Sequence, residues 1–245
     1  MRLDVFLTEK ELAVSRAKAQ EMIKNGAVTV NGKPLFKPAF DVSDSDAVCI
    51  AENPLQRYVG RGGLKLEAAL SHFDISVQGL VAVDVGASSG GFTDCLLQHG
   101  AAYVYAIDAG EGQLHPSLLA DARVCNREKC NARYIGAKDF SPLPQIAVMD
   151  VSFISQTLIL PAIADVLQQG GYLLTLIKPQ FEVGKGALGK NGLVKKAADR
   201  ERAIENVKRA ALALGFRFEG YMESVIRGGD GNTEYMACFS MNINR

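Results

Sequence analysis

The stretch Val81-Ala82-Val83-Asp84-Val85-Gly86-Ala87-Ser88-Ser89-Gly90-Gly91-Phe92-Thr93-Asp94 constrains the chain more than any other. An apolar run suited to a buried strand breaks at Gly86, and a helical pattern resumes after Gly90 and Gly91. A strand, a tight glycine turn and a helix N-terminus in that order form a small-molecule cradle. Glycine permits positive φ and close backbone approach, and the free N–H groups of a starting helix hold polar ligand groups.

The remainder of the chain repeats the alternation. Strand-like runs recur at Tyr103 to Ile107, Ile146 to Met149, Tyr172 to Ile177, Phe216 to Tyr221 and Tyr235 to Phe239, with helical segments between most of them. The clearest helix spans Ala197 to Leu214, where Ala203, Ile204, Val207, Ala211 and Leu214 share a face. Before the first strand, Leu66, Ala69, Leu70 and Phe73 fall at helical spacing and leave Lys65 off their stripe. This order predicts an α/β fold, a mainly parallel sheet with helices on both faces. A chain of 245 residues, 48% apolar, has room for one such domain and a smaller one.

Charge and cysteine usage narrow the class. Lys+Arg and Asp+Glu both number 27, so a nucleic-acid partner has to be argued from local patches. Cys49, Cys95, Cys125, Cys130 and Cys238 include no Cys-x-x-Cys pair and read as buried thiols, with neither a disulfide framework nor a metal site implied. His72, His99 and His115 have no ligand or triad spacing. No run of 18 apolar residues and no secretion signal is present, so a cytoplasmic protein without stable membrane association is expected.

The first 55 residues have a different texture. Two short helical patterns precede Val28-Thr29-Val30-Asn31-Gly32-Lys33, in which Asn31-Gly32 marks a hairpin, and Ser15 is placed to cap the second helix. Seven basic and four acidic side chains lie before Asp41, a bias that a plain solvated face also carries. Arg2-Leu3-Asp4, Ser15-Arg16-Ala17-Lys18-Ala19, Ile23-Lys24-Asn25-Gly26 and the hairpin, in that order, resemble the S4 RNA-binding domain, a small α+β module. The resemblance implies phosphate contacts from the basic surface of Arg2, Arg16, Lys18, Lys24 and Lys33, which position RNA without reading its sequence. Residues 56 to 62 read as a linker, kept basic by Arg57 and Arg61: a simple connector, or a hinge that signals RNA engagement.

Three nucleotide classes compete for the glycine turn. Phe92 stands where a P-loop needs lysine, and Ser88 where a dinucleotide turn needs glycine. The remaining segment, with Asp84, Gly86, Ala87, Ser88, Gly90, Gly91 and Phe92, resembles the first motif of S-adenosylmethionine-dependent methyltransferases, whose ligand carries no phosphate. Asp108, closing the next strand, is placed to accept hydrogen bonds from both ribose hydroxyls of that cofactor.

Lys65, Asp150, Lys178 and Glu234 follow one another before or at strand ends. Singly, each reads as a solvated terminus or an ion pair of the fold. Their order resembles the catalytic tetrad of FtsJ-type ribose 2′-O-methyltransferases, which implies a class I, Rossmann-like methyltransferase domain with a seven-stranded sheet over residues 63–245. Lys178 is the expected general base, with Asp150 and Lys65 orienting it and Glu234 fixing the lysines or the ribose. With the segments Gly60 to Leu66, Asp150 to Ser155, Lys178 to Glu182 and Gly228 to Glu234, the chain resembles the TlyA family along nearly its full length. That resemblance implies 2′-O-methylation of cytidine in ribosomal RNA or ribosomal subunits, although family members are also described as haemolysins. Membrane lysis, and RNA binding with a vestigial cofactor site, stand as the alternatives. The glycine-rich loop Gly184 to Gly192, with Phe181, reads either as a substrate cover or as a plain loop.

Overall fold

The computed structural model describes residues 1–24, 27–35, 37–43, 45–50 and 57–242. Asn25 and Gly26 of the RNA-binding signature, and linker residue 56, lie outside them. The chain divides into two compact units, Met1–Arg57 and Tyr58–Arg245.

In the first unit, helices α1 (Leu3–Glu9) and α2 (Arg16–Lys24) precede strands β1 (Val28–Val30), β2 (Lys33–Pro34) and β3 (Val48–Ile50), ordered β2-β1-β3 and antiparallel. The Ser15 hydroxyl accepts the Lys18 N–H at 3.2 Å, capping α2. Asn31 and Gly32 both take positive φ, 53° and 76°, the backbone that a two-residue hairpin turn between twisted strands requires. Leu3, Leu7, Ile23 and Val28 are fully buried between helices and sheet.

The second unit holds α3 (Gly62–His72), β4 (Val81–Val85), α4 (Gly91–Gln98), β5 (Tyr103–Ile107), α5 (Pro116–Leu119) and β6 (Val124–Arg127). These are followed by β7 (Ile146–Met149), α6 (Leu160–Val166), β8 (Tyr172–Ile177), α7 (Pro179–Glu182), α8 (Ala197–Ala213), β9 (Phe216–Glu223) and β10 (Tyr235–Met241). Seven strands form one sheet in the order β6-β5-β4-β7-β8-β10-β9, parallel from β6 to β8 and antiparallel at β10 and β9.

The period of two along each strand divides its side chains between two cores. Val83, Val85, Ile107, Met149 and Leu173 face α6 and α8, while Ala82, Val104, Ala106, Val148 and Leu174 face α3 and α4. The order in which successive strands join the sheet reverses between the parallel β4 and β7, so the crevice beyond their carboxyl ends is the topological switch point where ligands bind in such sheets.

Strand β6 is absent from the sequence reading. Its Val124-Cys125-Asn126-Arg127 lies at the sheet edge, where one residue is exposed and none is fully buried, so it carries no apolar signature. The five cysteines are not uniformly buried either: Cys95 and Cys238 are, whereas Cys49 is exposed on the short edge strand β3. Among the described residues no helix is long and apolar enough to cross a membrane.

Candidate active site

The glycine turn closes β4 and opens α4. Gly86 takes φ of 85°, and a β-carbon there would stand 2.4 Å from the Asp150 carbonyl oxygen. Glycine is required both by the left-handed backbone and by the close approach of the β7 end. Gly90, at φ 94°, caps α4 over Leu118 and Leu114, and Ser88 also takes positive φ. Asp108 stabilises this bend: its Oδ2 accepts the Ser88 N–H at 2.8 Å and its Oδ1 accepts the Gly110 N–H at 2.7 Å. A carboxylate has about four acceptor positions, so two remain for ligand hydroxyls. Asp108 lines a cavity of about 510 Å³, walled by apolar groups of Ile107, Ala109, Ala132, Val151 and Ile159 and reached by Gly86 and Ser88. That size and mixed lining suit a nucleoside-sized ligand.

Asp84 is fully buried below the turn, where its Oδ2 accepts the Thr93 hydroxyl at 2.7 Å. Burial raises its pKa to about 7 against the pull of that hydrogen bond, and the nearby Asp150 charge adds to the rise. Its Oδ1 is buried with no hydrogen-bond partner among the described residues. Ala87 and Phe92 are buried, and with Gly91 they line a smaller adjoining cavity of about 200 Å³ that also meets Arg61, Asp150, Ser152 and Lys178.

The four tetrad residues form two ion pairs. Lys65 Nζ stands 2.5 Å from Glu234 Oε2, with side-chain exposures of 10% and 3%. Lys178 Nζ stands 2.7 Å from Asp150 Oδ1 and donates to Ser152 Oγ at 2.8 Å. Among the described residues Asp150 Oδ1 receives no directed hydrogen bond, so its contact with Lys178 is a charge-to-charge approach. Lys178 and Glu234 share a third cavity, about 380 Å³, with Ser152, Phe153, Phe181, Gln180 and Asp230.

Lys65 departs from the helical-stripe reading, being buried although it lies off the apolar face of α3. Its buried partner is Glu234, and the segment expected as a linker packs at the start of the same helix. Tyr58 is buried and packs on Gly63, where any β-carbon would collide with its ring. Val59 N–H donates to Asp94 Oδ2 at 2.8 Å, and Gly60 comes against Gly91. Residues 58 to 62 therefore pack against the start of α4, and α3 begins at Gly62. Gly228 completes the pairing, since a β-carbon there would stand 2.6 Å from Glu234 Oε1.

Five further residues emerge from the packing. Ser152 meets Lys178 as above. Glu182 accepts the Ser155 hydroxyl at 2.6 Å and the Gln156 N–H at 2.8 Å, tying the segment after β7 to the end of α7. Gln156, fully buried, donates to the Leu176 carbonyl and accepts the Thr175 hydroxyl, holding that segment against β8. Phe153, highly exposed at φ 64°, sets its ring 5.2 Å from that of Phe181. The end of the glycine-rich loop is held by Asn232, whose Oδ1 accepts the Val194 N–H and whose Nδ2 donates to the Gly192 carbonyl.

In the first unit, buried Asp4 gathers Arg2, Arg16 and Gln20, with the Arg16 Nε at 3.1 Å and the Gln20 amide at 2.7 Å. Arg2 and Arg16 are thus half-exposed guanidiniums held on a fixed base. Lys18 pairs with Glu21 on the exposed face of α2, Lys33 is exposed after the hairpin turn, and Lys24 ends α2. Arg57 is exposed at the end of this unit, whereas Arg61 belongs to the second unit and lines the 200 Å³ cavity.

Comparison with known proteins agrees with this geometry. Residues 58–241 match the profile of the FtsJ-like methyltransferases, and residues 1–48 match the S4 domain. The chain is 42% identical over 234 residues to the 16S/23S rRNA (cytidine-2′-O)-methyltransferase TlyA of Mycobacterium tuberculosis, covering 96% of this chain and 87% of that one. It is 42% identical over 240 residues to Hemolysin A of Brachyspira hyodysenteriae, covering 98% and 99%. A solved structure of a candidate hemolysin from Streptococcus thermophilus superposes with a TM-score of 0.77 at 42% identity, covering 99% of this chain and 88% of that one.

Proposed function

This chain belongs to the FtsJ-like methyltransferase family, joined to an S4 domain, and from that premise we propose that it methylates the ribose 2′-hydroxyl of a cytidine in ribosomal RNA, using S-adenosylmethionine. The observation that carries the reading is the meeting of two lysine–carboxylate pairs, Lys65 with Glu234 and Lys178 with Asp150, beside a nucleoside-sized cavity at the sheet's switch point.

S-adenosylmethionine supplies, when bound, a methyl group on a positively charged sulfur. The residues fit it. Asp108 keeps two acceptor positions for ribose hydroxyls, the apolar wall around Ile107 and Ile159 suits a purine, and Gly86 leaves the turn open to close approach. Asp84 holds a buried acceptor below the turn, and Ala87, Ser88, Gly90, Gly91 and Phe92 shape the turn's backbone.

A ribose hydroxyl is a weak nucleophile at neutral pH, so it requires both a base and alignment. Lys178 takes the 2′-hydroxyl proton on Nζ, and Asp150 holds the lysine at the edge of the crevice. Lys65 and Glu234 neutralise one another and give the acceptor side a rigid floor. Alignment of a bound acceptor with the methyl group supplies on the order of 7–11 kcal/mol of acceleration. The Phe153–Phe181 ring pair borders the cavity that holds Lys178 and offers an aromatic face to an unstacked base.

RNA is held by residues 1–55, through Arg2, Arg16, Lys18, Lys24 and Lys33, and methyl transfer occurs within 63–245. Arg57, at the end of the first unit, and Arg61, in the second, add positive charge for RNA. The protein acts in the cytoplasm, on ribosomal RNA or its subunits. Mass spectrometry of ribosomal RNA nucleosides from cells with and without the gene tests this: 2′-O-methylcytidine falls when the gene is absent, and an unchanged nucleoside profile contradicts it.

A further inference from the structure

Ser152 lines each of the three adjoining cavities at the end of β7. It is exposed, and its hydroxyl accepts a hydrogen bond from Lys178 Nζ at 2.8 Å, while Asp150 Oδ1 stands 2.7 Å from the same nitrogen. To act as base, Lys178 first releases its ammonium proton to water, and the neutral amine then carries two N–H groups and one lone pair in tetrahedral directions. The Ser152 oxygen accepts one N–H, and the Asp150 carboxylate charge 2.7 Å away repels the lone pair, so the lone pair is left aimed away from both. Without the Ser152 acceptor, the amine rotates about its terminal C–N bond and the lone pair is not fixed.

We propose that Ser152 is a positioning residue for methyl transfer, which acts with Asp150 to aim the Lys178 lone pair at the substrate 2′-hydroxyl. The inference rests on the ribose-methylation reading above. In the step it serves, the 2′-oxygen forms its bond to the methyl carbon as the hydroxyl proton passes to Lys178 Nζ. The carbon–sulfur bond breaks with its electron pair remaining on sulfur. Ser152 neither gains nor loses a proton.

This role separates from a structural one. Ser152 sits in a solvent-accessible segment whose fold is held elsewhere, by Glu182 on Ser155 and Gln156 and by Gln156 on β8. Removing the Ser152 hydroxyl therefore leaves the segment in place and frees the amine.

The test uses the full chain, S-adenosylmethionine labelled in the methyl group, and ribosomal subunits purified from cells that lack the gene. Ser152→Ala is expected to lower kcat about tenfold, with the KM for subunits, the Kd for S-adenosylmethionine and the melting temperature nearly unchanged. Ser152→Thr, which keeps the hydroxyl, restores most of the rate. Added to Lys178→Ala, Ser152→Ala has no further effect, because the group it aims is gone. A kcat within twofold of wild type in Ser152→Ala overturns the proposal, as does a loss of rate that tracks melting temperature or cofactor affinity. Wild-type protein that forms no ribose-methylated nucleoside overturns instead the reading on which the proposal rests.

Discussion

Lys65 and Glu234, 169 positions apart in the chain, meet nitrogen to oxygen at 2.5 Å with both side chains almost wholly withdrawn from solvent. Removing one member of such a pair strands an uncompensated charge, at a cost of about 3–5 kcal/mol, whereas replacing both by apolar groups of similar size is near neutral. Lys65→Met and Glu234→Leu are each expected to lower stability strongly in chemical denaturation, and the double variant to regain most of it. Methyl transfer is expected to stay low in all three. A stable but inactive double variant separates the pair's contribution to folding from its contribution to the site.

Asp84 makes the second unit's stability depend on pH in an unusual sense. Its carboxyl is raised by burial from the ordinary range to about 7, so between roughly pH 4 and 7 the folded state binds the proton more tightly than the unfolded chain. This group therefore stabilises the fold at the acid end of the window, and the contribution is lost as pH rises through about 7. The difference in melting temperature between wild type and Asp84→Asn, followed across that window, is expected to slope in this sense and to flatten above it. A flat difference contradicts the burial argument.

Much of this site is legible in the sequence, and the residues show why the remainder is not. The glycine turn and Asp108 are local features: strand, turn and acid each announce themselves within a few positions, and the structure joins them through Ser88. Lys65 stands off the apolar stripe of its helix, and which of a solvated lysine or an ion pair it is depends on Glu234, near the end of the chain. Residues 56 to 62 read as a linker because glycines disfavour regular structure, and within it Gly60 comes against Gly91 at the start of α4, a contact that no local pattern announces. Strand β6 escapes because an edge strand needs no apolar alternation. Ser152 lies in the segment Asp150 to Ser155 with nothing to single it out there, and its place beside Lys178 and the cavities is what distinguishes it.

In the first unit, Asp4 is expected to govern RNA affinity without touching RNA. The Arg2 guanidinium, with Gln20 and Arg16, holds its carboxyl well below the usual range in spite of burial. That stabilisation is present above the usual carboxylate range and is lost as pH falls below it. Asp4→Asn is expected to destabilise this unit at neutral pH and to weaken RNA binding by freeing Arg2 and Arg16. Lys33→Ala, at an exposed position, leaves stability unchanged and weakens binding evenly across RNA sequences, lowering the slope of affinity against salt by about one. Filter binding over a salt series checks both, and a sequence-selective loss in Lys33→Ala argues against a phosphate contact.

The proposed transfer of a cytidine 2′-hydroxyl proton to Lys178, held by Asp150, is open to direct test. Its most direct measurement is reconstitution with full-length protein, S-adenosylmethionine and ribosomal subunits lacking the modification, followed by mass spectrometry of the nucleosides. Wild type is expected to form 2′-O-methylcytidine, and Lys178→Ala to form it about a hundredfold or more slowly with cofactor affinity retained, in line with the loss of a general base. Product formed equally fast by Lys178→Ala, or a methyl group found on a base, contradicts the account.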